Sequence, residues 1–342
     1  MKIKKNLKNT LFDKTLLITG GTGSFGKELI KTLLKSFNLK KIIIYSRDEL
    51  KQYEMQQSED FNSKKLRYFI GDVRDLPRLN LAMNNVNLVV HAAALKQVPT
   101  AEYNPFEVVK TNIIGAQNII DACFYNNVQR VIALSTDKAS SPTNLYGATK
   151  LTSDKLFVAA NNYKGPKQTS FSVVRYGNVF NSRGSVLPVF LSQAKKNYIT
   201  ITDKDMTRFN ISLKEGVNFV IKSFNRMIGG EIFIPKIPTF KIVDLAKAIN
   251  EKAKFKYVGI RPGEKLHEEM FSASDSSHAI EFKDYFFIKP QSELNGWTMK
   301  KYKNQNKSEN GKEVKKGLTY NSYTNSDYLK IQDLKKLIKE ND

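Results

Sequence analysis

The stretch TLLITGGTGSFGKELIKTLLKS, Thr15 to Ser36, decides the fold. Thr15 to Thr19 is a short apolar run rich in β formers. Lys27 to about Ser36 is amphipathic with helical spacing. Between them Gly20, Gly23 and Gly26 form G-x-x-G-x-x-G. The order strand, tight turn, helix follows. Glycines keep such a turn tight and let phosphates approach the N–H groups at the helix N-terminus. The motif alone is weak. Set between a strand and a helix near the start of the chain, it points to dinucleotide binding.

Working outward, further strand-like runs begin at Lys41, Leu66, Leu88, Val131 and Ser170, with helical segments between them. Alternation of this kind predicts an α/β fold, a Rossmann-type doubly wound parallel sheet covered on both faces. After about Gly177 turn residues thicken, which suggests a smaller C-terminal α/β region. The expected division is 11–177 for the cofactor-binding domain with the catalytic residues, 178–295 mainly for substrate, and 296–342 for a polar loop and terminal helix. Lys300 to Lys316 is charged and polar and reads as an exposed loop; Tyr328 to Ile338 reads as an amphipathic helix.

Composition narrows the classes. The chain has 342 residues and one cysteine, Cys123, so no intrachain disulfide is possible and a reducing, cytoplasmic setting is expected. No apolar run reaches the roughly 18 residues of a membrane span, and MKIKKNLKNT lacks the apolar core of a signal peptide. The formal net charge is +22. Its lysines are scattered rather than striped with aromatics, so they read as solvated surface, with attraction of a phosphorylated small molecule as the functional alternative. No nucleic acid, membrane or metal is expected as a partner.

The second strand ends Tyr45-Ser46-Arg47. Arginine cannot accept ribose hydroxyl protons, but its guanidinium suits a 2′-phosphate, which favours NADP. In the competing reading Arg47 is a surface residue and Asp48 holds the ribose. Asp72 and Val73 are placed to touch the adenine, and Ala92 to Ala94 to approach the cofactor closely. The cofactor set is then Gly20, Thr22, Gly23, Ser24, Phe25, Gly26, Ser46, Arg47, Asp48, Glu49, Leu50, Lys51, Asp72, Val73, Ala92, Lys96, Tyr146 and Lys150.

STDKASSPTNLYGATK, Ser135 to Lys150, carries the chemistry. Tyr146 and Lys150 are one helical turn apart and share a face. The ammonium can lower the phenol from roughly 10 toward neutrality and bind the nicotinamide ribose. A tyrosinate can take a proton from an alcohol as hydride leaves.

With these motifs in view, the chain resembles the extended short-chain dehydrogenases/reductases. More narrowly, it is similar to the configuration-inverting UDP-N-acetylglucosamine 4,6-dehydratases, which by this resemblance carry out the first step of pseudaminic acid biosynthesis, a pathway that serves flagellin or surface glycan modification. The resemblance runs through IIIYSRDELKQ, YFIGDVRDLPRL, HAAALKQVP, AEYNPFEVVKTNIIGAQN, LSTDKA, NLYGATKL, VVRYGNV, SRGSV, ITDKDMTRF and GIRPGEKLHE. It departs at Gln97, Asn181 and Asn210, where histidine, glycine and tryptophan are expected, and between Phe190 and Ile201, which is about two residues short.

The resemblance implies a sequence of steps. Oxidation at C4 of the sugar makes a ketone and acidifies the C5 hydrogen. A base removes that hydrogen, an acid protonates the departing C6 hydroxyl, hydride returns to C6, and C5 is reprotonated. Tyr146 and Lys150 form the dehydrogenase pair, Asp137 and Lys138 the acid/base pair, and Thr136 bonds the C4 oxygen. For these roles Lys138 must be neutral and Asp137 protonated, which burial favours. Lys96, Asn178, Val179, Val186, Leu187, Pro188, Val189, Phe190, Thr202 and Arg261 are implied as the UDP-sugar site. Arg208 and Glu264 are less specific candidates, and His267 reads either as a ligand or as structural. A homo-oligomer, a hexamer in size, is implied. A retaining dehydratase and a UDP-sugar 4-epimerase stay open as alternatives.

Overall fold

The computed structural model describes residues 10–180, 185–291, 296–307 and 309–340; Asn181 and the Ser182-Arg183-Gly184 motif lie outside them. The first half alternates strand and helix. β1 (Thr15–Thr19), α1 (Ser24–Ser36), β2 (Lys41–Ser46), α2 (Glu49–Gln57), β3 (Leu66–Ile70), α3 (Leu76–Ala82) and β4 (Leu88–His91) come first. Then follow α4 (Val98–Tyr103), α5 (Pro105–Val109), a π-turn over Lys110–Ile114, α6 (Gly115–Tyr125), β5 (Arg130–Thr136), α7 (Leu145–Ala160) and β6 (Ser170–Tyr176). β1 and β4 are buried along their whole length, which their unbroken apolar runs require of strands covered on both faces.

The second half contributes α8 (Val186–Ala194), β7 (Tyr198–Ile201), β8 (Thr207–Phe209), α9 (Leu213–Arg226), β9 (Ile232–Pro235), β10 (Thr239–Lys241) and α10 (Ile242–Ile249). It continues through β11 (Lys254–Tyr257), β12 (Glu269–Phe271), β13 (Ala279–Glu281), β14 (Tyr285–Ile288), α11 (Met299–Gln305), β15 (Lys312–Glu313), β16 (Tyr320–Asn321) and α12 (Ile331–Lys339).

The main sheet has ten strands in the order β3-β2-β1-β4-β5-β6-β9-β14-β13-β15. β3 through β9 are parallel, and β14, β13 and β15 add antiparallel pairs at one edge. The chain leaves β1 toward β2 and β3, then returns to lay β4 on the other side of β1. That reversal opens a crevice at the carboxyl ends of β1 and β4, where doubly wound sheets take their ligands.

The expected boundary at 177 does not divide the chain in space. β9, β13, β14 and β15 extend the first sheet, and α9 packs on α1 and β5. A separate second core is built by α8, β7, α10 and α12 around Leu187, Phe190, Ile199, Ile201, Leu245, Leu334 and Ile338. The segment expected as an exposed loop also departs from expectation. It opens in α11, whose Tyr302 is fully buried with its hydroxyl 2.9 Å from that of Tyr285, and Glu309 pairs with Arg226 at 2.9 Å. Its many lysines conceal an aromatic anchor that average polarity does not register. The terminal helix forms as expected, buried through Leu334 and Ile338.

Candidate active site

The glycine turn is a local feature of the chain. Gly20 has φ +67°, and a Cβ there would come within 3.0 Å of the Ala93 nitrogen; a Cβ on Gly26 would lie 2.5 Å from the backbone of Gly21. Only glycine allows these approaches. α1 then starts at Gly23 with no side-chain cap and no acid in its first turn. Its first N–H groups and the positive end of its dipole therefore face the crevice uncompensated, an arrangement that fits a pyrophosphate. Thr22 Oγ1 and Ser46 Oγ, 2.9 Å apart, fasten this turn to the end of β2.

At β2 the two candidate ribose residues separate. The Asp48 carboxylate caps α2, accepting from Lys51 N–H at 3.0 Å and pairing with the Lys51 ammonium. Lys51's hydrogen bonds hold that carboxyl below the usual range. The Arg47 side chain is 56% exposed and stands 3.7 Å from Asp72, whose carboxylate is also gripped by Arg74 at 2.7 Å. Glu49 and Leu50 face outward on α2. Val73 is buried in the main core.

At the end of β4, Thr19 Oγ1 accepts from the N–H groups of Ala92 and Ala93 at 3.1 and 3.2 Å. The same hydroxyl lies 2.9 Å from His91 Nδ1. Burial, with the Lys150 charge, pushes His91 down to about 3, so its ring is neutral. The loop that follows carries Lys96 and is clamped by Asn112. That side chain accepts from Leu95 N–H at 2.9 Å and donates to Leu95 O at 2.9 Å and to Thr149 Oγ1 at 3.1 Å. Asn112 sits in the π-turn, and Thr149 lies between Tyr146 and Lys150. One buried amide thus ties the Lys96 loop to α7.

α7 starts at Asn144, whose side chain accepts from Gly147 N–H at 2.8 Å. A Cβ on Gly147 would overlap the carbonyl oxygen of Lys138, so glycine lets α7 press against the short 3₁₀ turn Asp137–Ala139. This brings the expected residues together. Thr136 Oγ1 donates to Asp137 Oδ1 at 2.9 Å, and Lys138 Nζ donates to the same oxygen at 3.1 Å.

Two expectations about charge are revised. Burial does favour a neutral Lys138, but the Asp137 and Glu268 carboxylates outweigh it and hold the ammonium well above the usual lysine range. Tyr146 is not lowered in the site as it stands. Burial pushes it up to about 12, and the cation that most opposes this is Lys138, not Lys150. Asp137 behaves as expected: burial and the nearby Glu268 charge raise its carboxyl above the usual range. Lys150 is 3% exposed and lowered by burial, with Asp154 pulling the other way.

Several residues escaped the sequence reading. Glu268 Oε1 accepts from Lys138 Nζ at 2.8 Å. Below Lys150, buried Asp154 accepts from Ser135 Oγ at 2.8 Å and pairs with Arg175 at 3.0 Å, and Arg175 donates to Met270 O at 2.8 Å. The i, i+4 spacing of Lys150 and Asp154 was a usable signal for Asp154. Glu268 and Arg175 had none, because their partners are remote in sequence.

The substrate set is only partly gathered. Gly177, next to Asn178, packs so closely that a Cβ would reach 3.4 Å from Asp137 Oδ2, and Val179 bridges to Ile211. The side chains of Leu187 and Phe190 are buried in the second core and Val186 is half-buried against it, leaving Pro188 and Val189 exposed. Thr202 O accepts from Gly259 N–H at 3.1 Å, and Arg261 is exposed, with its N–H 3.4 Å from Glu264 Oε2. The segment after Arg261 folds back on the active turn. Asn144 Nδ2 donates to Gly263 O at 2.8 Å, and Lys265 Nζ donates to Ser140 O at 2.6 Å. His267 Nδ1 lies 2.8 Å from Thr207 Oγ1 with its ring 4.5 Å from that of Tyr323, a packed setting.

Comparison with known proteins agrees with this architecture. Residues 16–290 match the polysaccharide biosynthesis protein family. The chain is 57% identical over 328 residues, 95% of its length and 97% of the other's, to a protein of Campylobacter jejuni subsp. jejuni serotype O:23/36 (strain 81-176) named UDP-N-acetylglucosamine 4,6-dehydratase (inverting). It is 44% identical over 284 residues, 81% of this chain and 83% of the other, to a protein of Rickettsia massiliae named UDP-glucose 4-epimerase. Among solved structures, Pen from Bacillus thuringiensis superimposes with a TM-score of 0.85 at 37% identity, covering 96% of this chain and 99% of that one.

Proposed function

This chain belongs to the polysaccharide biosynthesis protein family, within the extended short-chain dehydrogenases/reductases, and from that premise we propose that it is a UDP-N-acetylglucosamine 4,6-dehydratase that inverts C5. The observation that carries this reading is the placement of Asp137 and Lys138 beside Tyr146. An acid/base pair and a dehydrogenase tyrosine share one site, as an elimination following oxidation requires. The name of the Campylobacter relative supports the substrate and the stereochemistry.

The cofactor is NADP in this proposal. Asp48 is occupied as a helix cap, and Arg47, more than half exposed and 3.7 Å from Asp72, presents its guanidinium at the ribose end of β2. When the cofactor is bound, the turn Gly20 to Gly26 would hold its pyrophosphate, with Ser46, Ala92 and Lys150 as further contacts. When bound, the nicotinamide supplies the hydride acceptor at C4 and the donor at C6.

The chain's own residues move the protons. Tyr146 takes the C4 hydroxyl proton, and Thr136 holds that oxygen. Lys150, one helical turn along α7, would bind the nicotinamide ribose, its charge opposed by burial and supported by Asp154. Lys138 removes the C5 proton, and Asp137 protonates the leaving C6 hydroxyl. Lys96, Asn178 and Arg261 take the sugar nucleotide. No helix among the described residues is long and apolar enough to cross a membrane. A cytoplasmic homo-oligomer acting in pseudaminic acid synthesis completes the proposal.

The test is incubation with UDP-N-acetylglucosamine and NMR of the product. A 4-keto-6-deoxy sugar inverted at C5 is expected. A product changed only at C4 would favour the epimerase reading, which the Rickettsia relative's name keeps in view.

A further inference from the structure

The acid/base pair has a third member that the steps above leave unused. Glu268 lies between Arg261 and β12, and Ser322 fixes its backbone from both directions. Glu268 N–H donates to Ser322 Oγ at 2.9 Å, and Ser322 N–H donates to Glu268 O at 2.8 Å. The side chain is 2% exposed; Oε1 accepts from Lys138 Nζ at 2.8 Å and stands 3.7 Å from Arg208 Nε. Lys138 Nζ also reaches Asp137 Oδ1 at 3.1 Å. The second oxygens of the two acids, Asp137 Oδ2 and Glu268 Oε2, are buried without a hydrogen-bond partner among the described residues. Two buried carboxylates share one ammonium.

We propose that Glu268 is a positioning residue for the elimination: it stays anionic throughout, anchors the Lys138 nitrogen, and leaves Asp137 as the carboxylate that carries the proton. This rests on the dehydratase reading. The asymmetry comes from the surroundings. Burial raises both acids, but Glu268 faces Lys138, Arg208 and Lys265, which together bring its carboxyl below the usual range. Asp137 faces Lys138 and the Glu268 charge, with Lys265 farther off, and burial with Glu268 wins there. Glu264, 3.5 Å from Arg208, draws off part of that guanidinium's charge, and His267 and Glu269 flank Glu268 in the chain. Environments that push two like groups apart assign them different roles.

The proton step then balances. A Lys138 Nζ–H bond breaks as an Asp137 Oδ1–H bond forms across the 3.1 Å contact, converting ammonium and carboxylate into amine and acid. The amine takes the C5 proton, and the C5–H electron pair becomes the C5–C6 double bond. The C6–O bond breaks, its oxygen takes the Asp137 proton, and water leaves. Ammonium and carboxylate are restored, and Glu268 has kept its charge.

The experiment is the pH–rate profile for water loss from UDP-N-acetylglucosamine in the parent, Glu268→Gln and Glu268→Asp. The Glu268 charge raises both Asp137 and Lys138, so its removal should move both limbs to lower pH by about one unit or more. In Glu268→Gln, kcat at pH 7 should fall at least about 10-fold with little change in KM. Glu268→Asp keeps the charge and should return both limbs to the parent positions, even with a lower kcat. Superimposable limbs in parent and Glu268→Gln would overturn the proposal.

An infrared arm covers the case in which Glu268→Gln does not fold. On acidification of the parent, the first buried carboxylic acid band to rise should be missing from Asp137→Asn. Its persistence there would show that another buried acid, Glu268, Asp154 or Glu231, takes the proton first, and would overturn the proposal. A parent that releases no product removes the dehydratase reading, while the infrared arm still decides whether Asp137 is the first carboxylate to take a proton.

Discussion

At the cofactor end, the groups that face the crevice are backbone N–H groups of one short turn, Gly20 to Gly26. At the chemistry end, the lysine amine is held by Glu268, 130 residues further along the chain. The first site is made by what the side chains leave out, because any Cβ on Gly20 or Gly26 meets backbone. The second is made by charged side chains from the turn after β5, from α7 and from the segment entering β12. Backbone sites tolerate changes of charge nearby and fail on added volume. Charge-built sites do the reverse, because a buried carboxylate or ammonium without its partner is costly to keep.

The comparison can be broken by swapping the insult at each end. The largest effect is expected from Tyr146→Phe, which removes the phenol oxygen and keeps the ring. Turnover should fall about 10²–10⁴-fold while cofactor affinity holds, read by product formation and by equilibrium binding of NADP. Activity within 10-fold of the parent would show that another group takes the C4 hydroxyl proton.

Lys138→Ala should follow, with at least about 10² lost in water release. Exchange of the C5 hydrogen in heavy water, followed by mass spectrometry, should vanish with it. C5 exchange at the parent rate would assign the base elsewhere.

Gly26→Ala applies volume at the cofactor end without touching a charge. Overpacking of this kind costs about 1–3 kcal/mol, so a lower melting temperature and weaker cofactor binding are expected together. The residual chemistry of cofactor-saturated enzyme should survive. A kcat loss matching that of Lys138→Ala would dissolve the distinction between the two ends.

The smallest change is expected from Arg47→Asp. Its side chain is more than half exposed, so only the choice between NADP and NAD should move, by about 10-fold, and titration with both cofactors measures it. Equal affinities in the parent would return the ribose to Asp48.

The sequence by itself determined the Rossmann half and picked out the residues that the fold gathers at the turn after β5. Apolar strand runs, the Gly20–Gly26 spacing and the Tyr146–Lys150 interval are local features whose geometry follows from strand and helix periods. The terminal helix was legible for the same reason. Three things were settled only by the tertiary structure. Strands β9, β13, β14 and β15 rejoin the first sheet, because edge pairing is chosen by partners distant along the chain. Tyr302 hides among lysines, because one aromatic anchor outweighs the polarity of its neighbours once a pocket is there to receive it. Glu268 reaches Lys138, and the charge of that lysine changes with it. Charge state depends on which groups are near and how little water is between them, and no spacing along a chain encodes either.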